Sequence, residues 1–177
     1  SSNEEDLASA DELGLTAAMK DRLRLDHDRI VAMANGIREV AELHDPTGEI
    51  IKEWTRPNGI RLQKKRTPIG TIGIIYESRP NVTADAAVLC FKTGNASILR
   101  GGKEAIHSIR AIAAALDVGG KSAGLPDHSI QLIPFTDRES VRHLCEMDTY
   151  LDLIIPRGGA GLIEAVVGMA RMPEIKN

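Results

Sequence analysis

Two short glycine-rich segments carry the residues best suited to bind an anion. RGGKE places Arg100 and Lys103 around two glycines, and PRGGAG places Arg157 before three glycines. Each segment follows an apolar run and precedes a helical pattern, so each is expected to form a turn between a strand and a helix. Backbone N–H groups and the positive helix end attract anions at such a turn, and cationic side chains add charge-assisted hydrogen bonds.

Both turns also allow a plainer interpretation, in which glycine only permits close packing of helix and strand. For PRGGAG the residues alone leave the two interpretations open. For RGGKE a phosphate site is favoured, because two cations flank the glycines and because a lysine in a first helical turn opposes the helix dipole. Neither segment matches the GxGxxG pattern of common dinucleotide sites.

A third polar segment, YESRPNVT, follows a run of β-branched residues. Glu77, Ser78 and Arg79 are candidates to meet a polar substrate. Asn81 has two possible roles: its side chain caps the following helix, or its amide donates to an oxyanion.

Other reactive residue types lack the spacing that chemistry requires. Cys90 and Cys145 lie within helical patterns, which favours core packing over nucleophilic work. No two histidines have metal-ligand spacing, so no metal site is expected. The histidines are His27, His44, His107, His128 and His143.

The elements that must position these segments alternate between strand and helix from residue 68 onward. IGTIGIIYE, ASILRG, DHSIQLIP and YLDLIIP are strand-like, and a helical pattern follows each of them. This alternation predicts right-handed crossovers and a parallel sheet, with ligands beyond the carboxyl ends of the strands. The predicted fold is α/β: a Rossmann-like doubly wound parallel sheet with a projecting β-hairpin and N-terminal helices.

Three parts are expected along the chain. Residues 1–45 form a helical lead-in, in which Thr16 and Asp26 cap two helices. Residues 46–67 form a hairpin around the turn sequence RPNG, as an oligomerisation arm or sheet edge. Residues 68–177 form the Rossmann-like core, and the final RMPEIKN resembles the start of another strand. The chain is therefore expected to be a piece of a longer protein.

Composition excludes several classes of function. The 177 residues are 42% hydrophobic and 27% charged, with a net charge of −3, so neither a nucleic-acid nor a membrane partner is expected. No apolar run is long enough to span a bilayer. The acidic N-terminus lacks the apolar core of a signal peptide, which makes the cytoplasm the expected compartment.

The longer segments resemble a known family. IGIIYESRPNVTADAAVLCFKTGNASILRGGKEAIHS and LDLIIPRGGAGLI are similar to the γ-glutamyl phosphate reductase (glutamate-5-semialdehyde dehydrogenase) family of the aldehyde dehydrogenase superfamily. LGLTAAMKDRLRL and IRLQKKRTPIG extend the resemblance over nearly the whole chain. The bifunctional pyrroline-5-carboxylate synthases carry a similar reductase half and are an alternative parent.

The resemblance implies an NADPH-dependent reduction of γ-glutamyl phosphate to glutamate-5-semialdehyde in proline biosynthesis. A cysteine thiolate displaces phosphate, and hydride transfer resolves the thioester. Neither Cys90 nor Cys145 matches the family's catalytic motif. The nucleophile is expected downstream of Asn177, in a catalytic domain that this chain lacks, so the chain alone is expected to be inactive.

The resemblance also implies a division of the site. The ILRGGKE strand end lies beside the adenosine part of the cofactor and the PRGGAG turn near its pyrophosphate. Lys103, with Arg100, then suits the 2′-phosphate of NADP, whereas an alignment shifted by one residue puts Glu104 there. The implied cofactor-binding residues are Arg100, Gly101, Gly102, Lys103, Pro156, Arg157, Gly158, Gly159 and Gly161.

The same resemblance assigns the substrate side to Ser78, Arg79 and Asn81, because YESRPNVT replaces the superfamily loop whose asparagine supports the oxyanion. Two other hypotheses stay open. One is a non-catalytic nucleotide- or phosphate-binding module, and the other is an element that mainly assembles a homo-oligomer through the 49–66 hairpin.

Overall fold

The computed structural model describes residues 1–176. Three helices open the chain: α1 (Ser2–Ala8), α2 (Ala17–Leu23) and α3 (His27–Glu42). The predicted caps are confirmed, because Thr16 Oγ1 accepts from the N–H of Met19 and Asp26 Oδ1 from that of Arg29. Each cap satisfies a backbone donor that its helix leaves unpaired.

Buried polar side chains fix α1 to a distant part of the chain. Asp6 accepts from the backbone N–H groups of His107 and Ser108 and from the Ser108 hydroxyl. The amide of Asn3 donates to Ser108 Oγ and to the carbonyl of Leu23. The first helix is therefore held against residues that lie about a hundred positions later.

The predicted hairpin is present and projects from the rest of the fold. Strands β1 (Ile50–Thr55) and β2 (Arg61–Lys65) pair antiparallel, and Gly59 takes a φ of +84° in the turn between them. Every residue of the two strands is exposed except the half-buried Leu62. The hairpin therefore has no core of its own within the described residues.

The core sheet has four parallel strands in the order β5-β4-β3-β6. Together with the N-terminal helices and the hairpin, this sheet confirms the predicted fold class. The strands and the helices that connect them are β3 (Thr71–Tyr76), α4 (Val82–Lys92), β4 (Ala96–Gly101), α5 (Ile106–Ser122), β5 (Ile130–Leu132), α6 (Arg138–Cys145), β6 (Leu153–Arg157) and α7 (Ala160–Met169).

Each face of the sheet covers a separate apolar cluster. On one face Tyr76 and Leu99 pack with Val82 of α4 and Ile109 of α5. On the other face Ile75 and Ile154 pack with side chains of α6 and α7. The chain changes face after β5 and returns to place β6 beside β3, so a crevice opens beyond the carboxyl ends of these two strands.

Two details refine the sequence-based predictions. A 3-10 helix (Lys103–Ala105) precedes α5, so the predicted single long helix begins with a tighter turn. Glu174 bridges parallel to Ile154, in agreement with a strand that begins near the end of the chain. Asn177 lies outside the described residues. Within residues 1–176, no helix has the length and apolar character that a bilayer crossing requires.

Candidate functional site

A cleft opens at the point where the strand order reverses. The loop after β3 and the turn after β6 form its walls, with Ser78, Arg79, Arg157, Gly158 and Gly159 among the lining residues and a cavity volume of about 460 Å³. We call it the switch-point cleft. A hydrogen bond links the turn after β6 to the loop after β3: the N–H of Gly159 donates to Glu77 Oε2 at 3.2 Å.

Ser78 stands in the loop after β3 with an unusual backbone. Its φ is +52°, a region that costs a non-glycine residue free energy, and its side chain is buried. Glu104 holds this conformation: its Oε1 accepts the Ser78 N–H at 2.5 Å and the Ser78 hydroxyl at 3.1 Å. The turn after β4 therefore braces the loop after β3.

A second, larger cavity of about 1200 Å³ lies between the turn after β4 and helices α6 and α7. We call it the wide groove. Gly102 and Lys103 line it from one side, and Gly161 and Leu162 line it from the other. Gly102 and Lys103 of the first glycine-rich turn therefore face the same groove as Gly161 of the second, whereas Arg157, Gly158 and Gly159 line the switch-point cleft.

The two cations of the first turn have different environments. Arg100 is only 6% exposed; its Nη2 donates to the carbonyls of Thr136 and Asp137 at 2.7 and 2.8 Å. Burial lowers the pKa of its guanidinium, against the effect of Asp137 and other nearby carboxylates. Lys103 is exposed and has no hydrogen-bond partner among residues 1–176. Arg100 thus fixes the loop before α6, while Lys103 remains available to a ligand.

The glycines of the two turns also differ. A Cβ on Gly101 would collide with Cδ1 of Ile109, and one on Gly102 would collide with the Glu104 carboxylate. A Cβ on Gly159 or Gly161 would meet no protein atom within 4 Å. The first pair is required by packing. The second pair has no such requirement and leaves the helix end open to close approach.

The remaining predicted residues divide between wall and interior. Arg157 and Gly158 line the switch-point cleft with Ser78 and Arg79. Pro156 is buried in β6, and Gly101 is buried where β4 ends, so both contribute to the packing beneath the site.

Asn81 occupies the N-cap position of α4, but its side chain makes no capping hydrogen bond there. The predicted side-chain cap is therefore wrong. The amide instead donates to Asp85 Oδ2 at 3.1 Å, one turn into the helix. Asn81 lies on the wall of a neighbouring cavity rather than in the switch-point cleft.

Neither cysteine is placed as a nucleophile. Cys90 is buried, and burial raises the pKa of its thiol to about 11. Burial and the charge of Glu146 raise the pKa of the fully buried Cys145 thiol. Both side chains stay protonated near neutral pH, in agreement with the predicted packing role.

Sequence analysis missed the structural use of Glu104. No local sequence pattern predicts this contact, because Ser78 and Glu104 are 26 positions apart. Within residues 1–176, no group of three or more histidine, cysteine or acidic residues is arranged to hold a metal ion.

The chain is similar to proteins of known name. A γ-glutamyl phosphate reductase of Allorhizobium ampelinum is 55% identical over 169 residues, which are 95% of this chain and 40% of that protein. The crystal structure of γ-glutamyl phosphate reductase from Thermotoga maritima superposes with a TM-score of 0.94 at 43% identity, over 98% of this chain and 42% of that one. No protein-family model matches the chain.

An acetylating aldehyde dehydrogenase from Geobacillus thermoglucosidasius shares the fold at 20% identity and a TM-score of 0.64, over 98% of this chain and 37% of that one. The fold is thus one that aldehyde dehydrogenases also have. By sequence, the chain belongs to the γ-glutamyl phosphate reductase family, which confirms the resemblance of its long segments. It spans about two fifths of the length of the curated relatives that it matches.

Proposed function

We propose that this chain supplies the cofactor-binding part of an NADPH-dependent γ-glutamyl phosphate reductase, which forms glutamate-5-semialdehyde in proline biosynthesis. The observation that carries the proposal is the wide groove, which Lys103 of the first glycine-rich turn and Gly161 of the second both line. The names of the relatives supply the substrate, and the aldehyde dehydrogenase fold supports a nicotinamide cofactor.

The groove offers donors for both charged parts of such a cofactor. In the first turn of α7 the N–H groups of Ala160 and Gly161 have no hydrogen-bond partner among residues 1–176, whereas that of Gly159 donates to Glu77. The missing side chains of Gly159 and Gly161 leave room for a pyrophosphate beside them. Lys103 is exposed in the same groove and is assigned to the 2′-phosphate. The shifted alignment is less well supported, because Glu104 is only 9% exposed and already accepts two hydrogen bonds from Ser78.

The substrate side is assigned to the loop after β3. Ser78 and Arg79 line the switch-point cleft beside Arg157, where the cleft adjoins the groove at Glu77. The exposed Arg79 is assigned to a polar acyl phosphate, and Ser78, whose N–H and hydroxyl already donate to Glu104, shapes the substrate side of the loop. Asn81 is kept as a candidate oxyanion donor, which requires its amide to leave Asp85. Bound NADPH supplies the hydride, and the thiolate nucleophile comes from outside this chain.

The three parts of the chain receive separate roles in this proposal. Residues 68–177 form the cofactor-binding core, residues 1–45 pack on it, and the hairpin within residues 46–67 assembles a homo-oligomer. The hairpin supports this role with its unpaired strand edges and with exposed Ile50, Ile51 and Trp54. Its deletion is expected to lower the sedimentation mass while NADPH binding persists. An unchanged mass would contradict the assembly role.

Calorimetric titration of the chain with NADPH and with NADH tests the cofactor role. NADPH is expected to bind more tightly, and Lys103→Ala to weaken NADPH at least about tenfold while leaving NADH nearly unchanged. Lys121→Ala is the matched control, because Lys121 is exposed near the C-terminal end of α5 and pairs with Asp117. A folded chain that binds neither nucleotide, or that binds both equally, would contradict the assignment.

A further inference from the structure

A third cavity, of about 500 Å³, lies where α2 and α3 meet the start of α4. Four arginines line it: Arg22, Arg24, Arg29 and Arg79. We call it the arginine pocket. Its volume is in the range of small-molecule sites, and its lining is more basic than a chain of net charge −3 would lead one to expect.

One of these arginines has a structural role and three do not. Arg29 is held by Asp21, whose carboxylate accepts from Nη2 at 2.8 Å, and by the carbonyl of Arg24. The guanidinium groups of Arg22, Arg24 and Arg79 are exposed, and none of them has a hydrogen-bond or ion-pair partner among residues 1–176. Like charges gathered without acceptors repel one another, so the fold does not explain the cluster.

The pocket also holds one carboxylate that is only lightly engaged. Asp85 is half-buried on α4, and its Oδ2 accepts a single hydrogen bond, from the Asn81 amide. The pocket therefore offers three cationic donors and one anionic acceptor. This combination matches a ligand that carries a carboxylate and an ammonium group on neighbouring atoms.

The arginine pocket adjoins the switch-point cleft. Arg22 and Arg79 line both cavities, and the cleft contains Arg157 and the glycines after β6. A short, extended ligand can therefore place one end in the arginine pocket and the other end at the carboxyl edges of β3 and β6.

We propose that the arginine pocket binds the α-amino-acid end of the substrate, with its carboxylate on Arg22, Arg24 and Arg79 and its ammonium group on Asp85. The inference rests on the proposed function for the identity of the acyl group, and it adds residues of α2 and α4 to the substrate site. Specificity then arises at the end of the substrate opposite the acyl phosphate, because only an amino acid satisfies both charges of the pocket.

Nuclear magnetic resonance of the arginine side chains tests the proposal directly. The chain is titrated with L-glutamate, with 4-aminobutanoate, which lacks the α-carboxylate, and with glutarate, which lacks the ammonium group. L-glutamate is expected to shift the Nε–H signals of Arg22, Arg24 and Arg79. Arg38 lies on α3 outside the pocket, and its signal is expected to stay in place.

4-Aminobutanoate and glutarate are each expected to bind the unaltered chain at least about tenfold more weakly than L-glutamate does. The variant Arg24→Gln is expected to bind L-glutamate at least about tenfold more weakly than the unaltered chain does. Arg38→Gln is the matched control and should leave the affinity unchanged. Equal affinity for the three ligands would overturn the proposal, since it would show attraction of any small anion. Shifts confined to Arg157 would overturn it as well.

A parallel titration with NADPH separates this proposal from the proposed function. If NADPH binds and L-glutamate leaves the pocket arginines unmoved, the amino-acid site is wrong and the cofactor role stands. If L-glutamate shifts the pocket arginines and NADPH does not bind, the amino-acid site stands and the cofactor role fails.

Discussion

The two glycine-rich turns share a sequence signature and differ in physical cause. After β4, a side chain at Gly101 or Gly102 would collide with Ile109 or Glu104, so the protein itself requires glycine. After β6, a side chain at Gly158 would collide with Glu77 and Leu162, but one at Gly159 or Gly161 would meet open space. The glycines after β4 allow the wall of the groove to pack closely, whereas Gly159 and Gly161 after β6 leave space for a ligand.

The cations next to the glycines follow the same division. Arg100 is buried and donates to the loop before α6, whereas Arg157 is exposed at the switch-point cleft. An arginine beside a pair of glycines therefore indicates a ligand contact only when its donors are free. Substitutions in and around the two turns test this difference.

The largest effect is expected for Gly101→Ala. The new methyl group must displace Ile109, which is 1% exposed in the apolar cluster beneath β4, so the free energy of unfolding should fall by about 3 kcal/mol. Urea unfolding measures the change. Ile109→Val removes the colliding Cδ1 atom, and the double variant should recover part of the loss. Additive losses would show that the turn is not closed by this contact.

The second prediction concerns Tyr76, which packs beneath Gly101. Burial raises the pKa of its phenol from 10.0 to about 12, although a hydrogen bond with Thr83 acts in the opposite direction. The unfolded chain therefore releases this proton first, and stability present below pH 10 should decline by about 2–3 kcal/mol as the pH rises to 12.

Chemical unfolding followed between pH 8 and 12 measures this decline. Tyr76→Phe should remove about half of the slope between pH 10 and 11 and most of it between pH 11 and 12. Cys90, whose thiol pKa is raised by a similar amount, from 9.0 to about 11, should leave a slope of similar size between pH 9 and 11. An unchanged slope in Tyr76→Phe would place the alkaline sensitivity elsewhere.

Glu104→Gln should cost about 1–2 kcal/mol. The amide keeps the shape of the side chain but replaces the charged acceptor that holds the Ser78 N–H and hydroxyl. Thermal unfolding measures the loss, and Glu39→Gln, at an exposed position on α3, is the control. Equal effects of the two substitutions would mean that the brace between the two loops adds nothing.

The smallest effect, with the opposite sign, is expected for Gly161→Ala. Alanine replaces glycine in the first turn of α7 without a collision, so stability should rise by about 0.5–1 kcal/mol. The same methyl group projects into the wide groove and should weaken NADPH binding several-fold. A loss of stability here would make the two turns alike and remove the basis of the comparison.

Local pattern was sufficient for much of the fold. Alternating apolar runs predict the strands β3 to β6 and their helices, and RPNG predicts the hairpin turn, because these features depend on residues close in sequence. The predicted ligand-binding edge follows from the parallel direction of the strands, which the alternation of strands and helices indicates. The predicted site residues are for the most part found on the two cavities at that edge.

Contacts between distant residues set the limit of sequence analysis. The burial of Arg100 depends on the carbonyls of Thr136 and Asp137, and the strained φ of Ser78 depends on Glu104. The arginine pocket combines residues of α2 and α3 with the loop before α4, which are some fifty positions apart. No sequence periodicity or motif predicts which hydrogen-bond donors such contacts leave unpaired.

The anchoring of α1 has a consequence for the order in which the chain is made. Asp6 leaves the ribosome early, but its partner Ser108 follows 102 residues later. The side chains of Asn3 and Asp6 therefore lack their Ser108 partner until the start of α5 has been synthesised. Contacts of such long sequence separation are slow to form, so α1 is fixed in place only after the segments that lie between it and α5 have emerged.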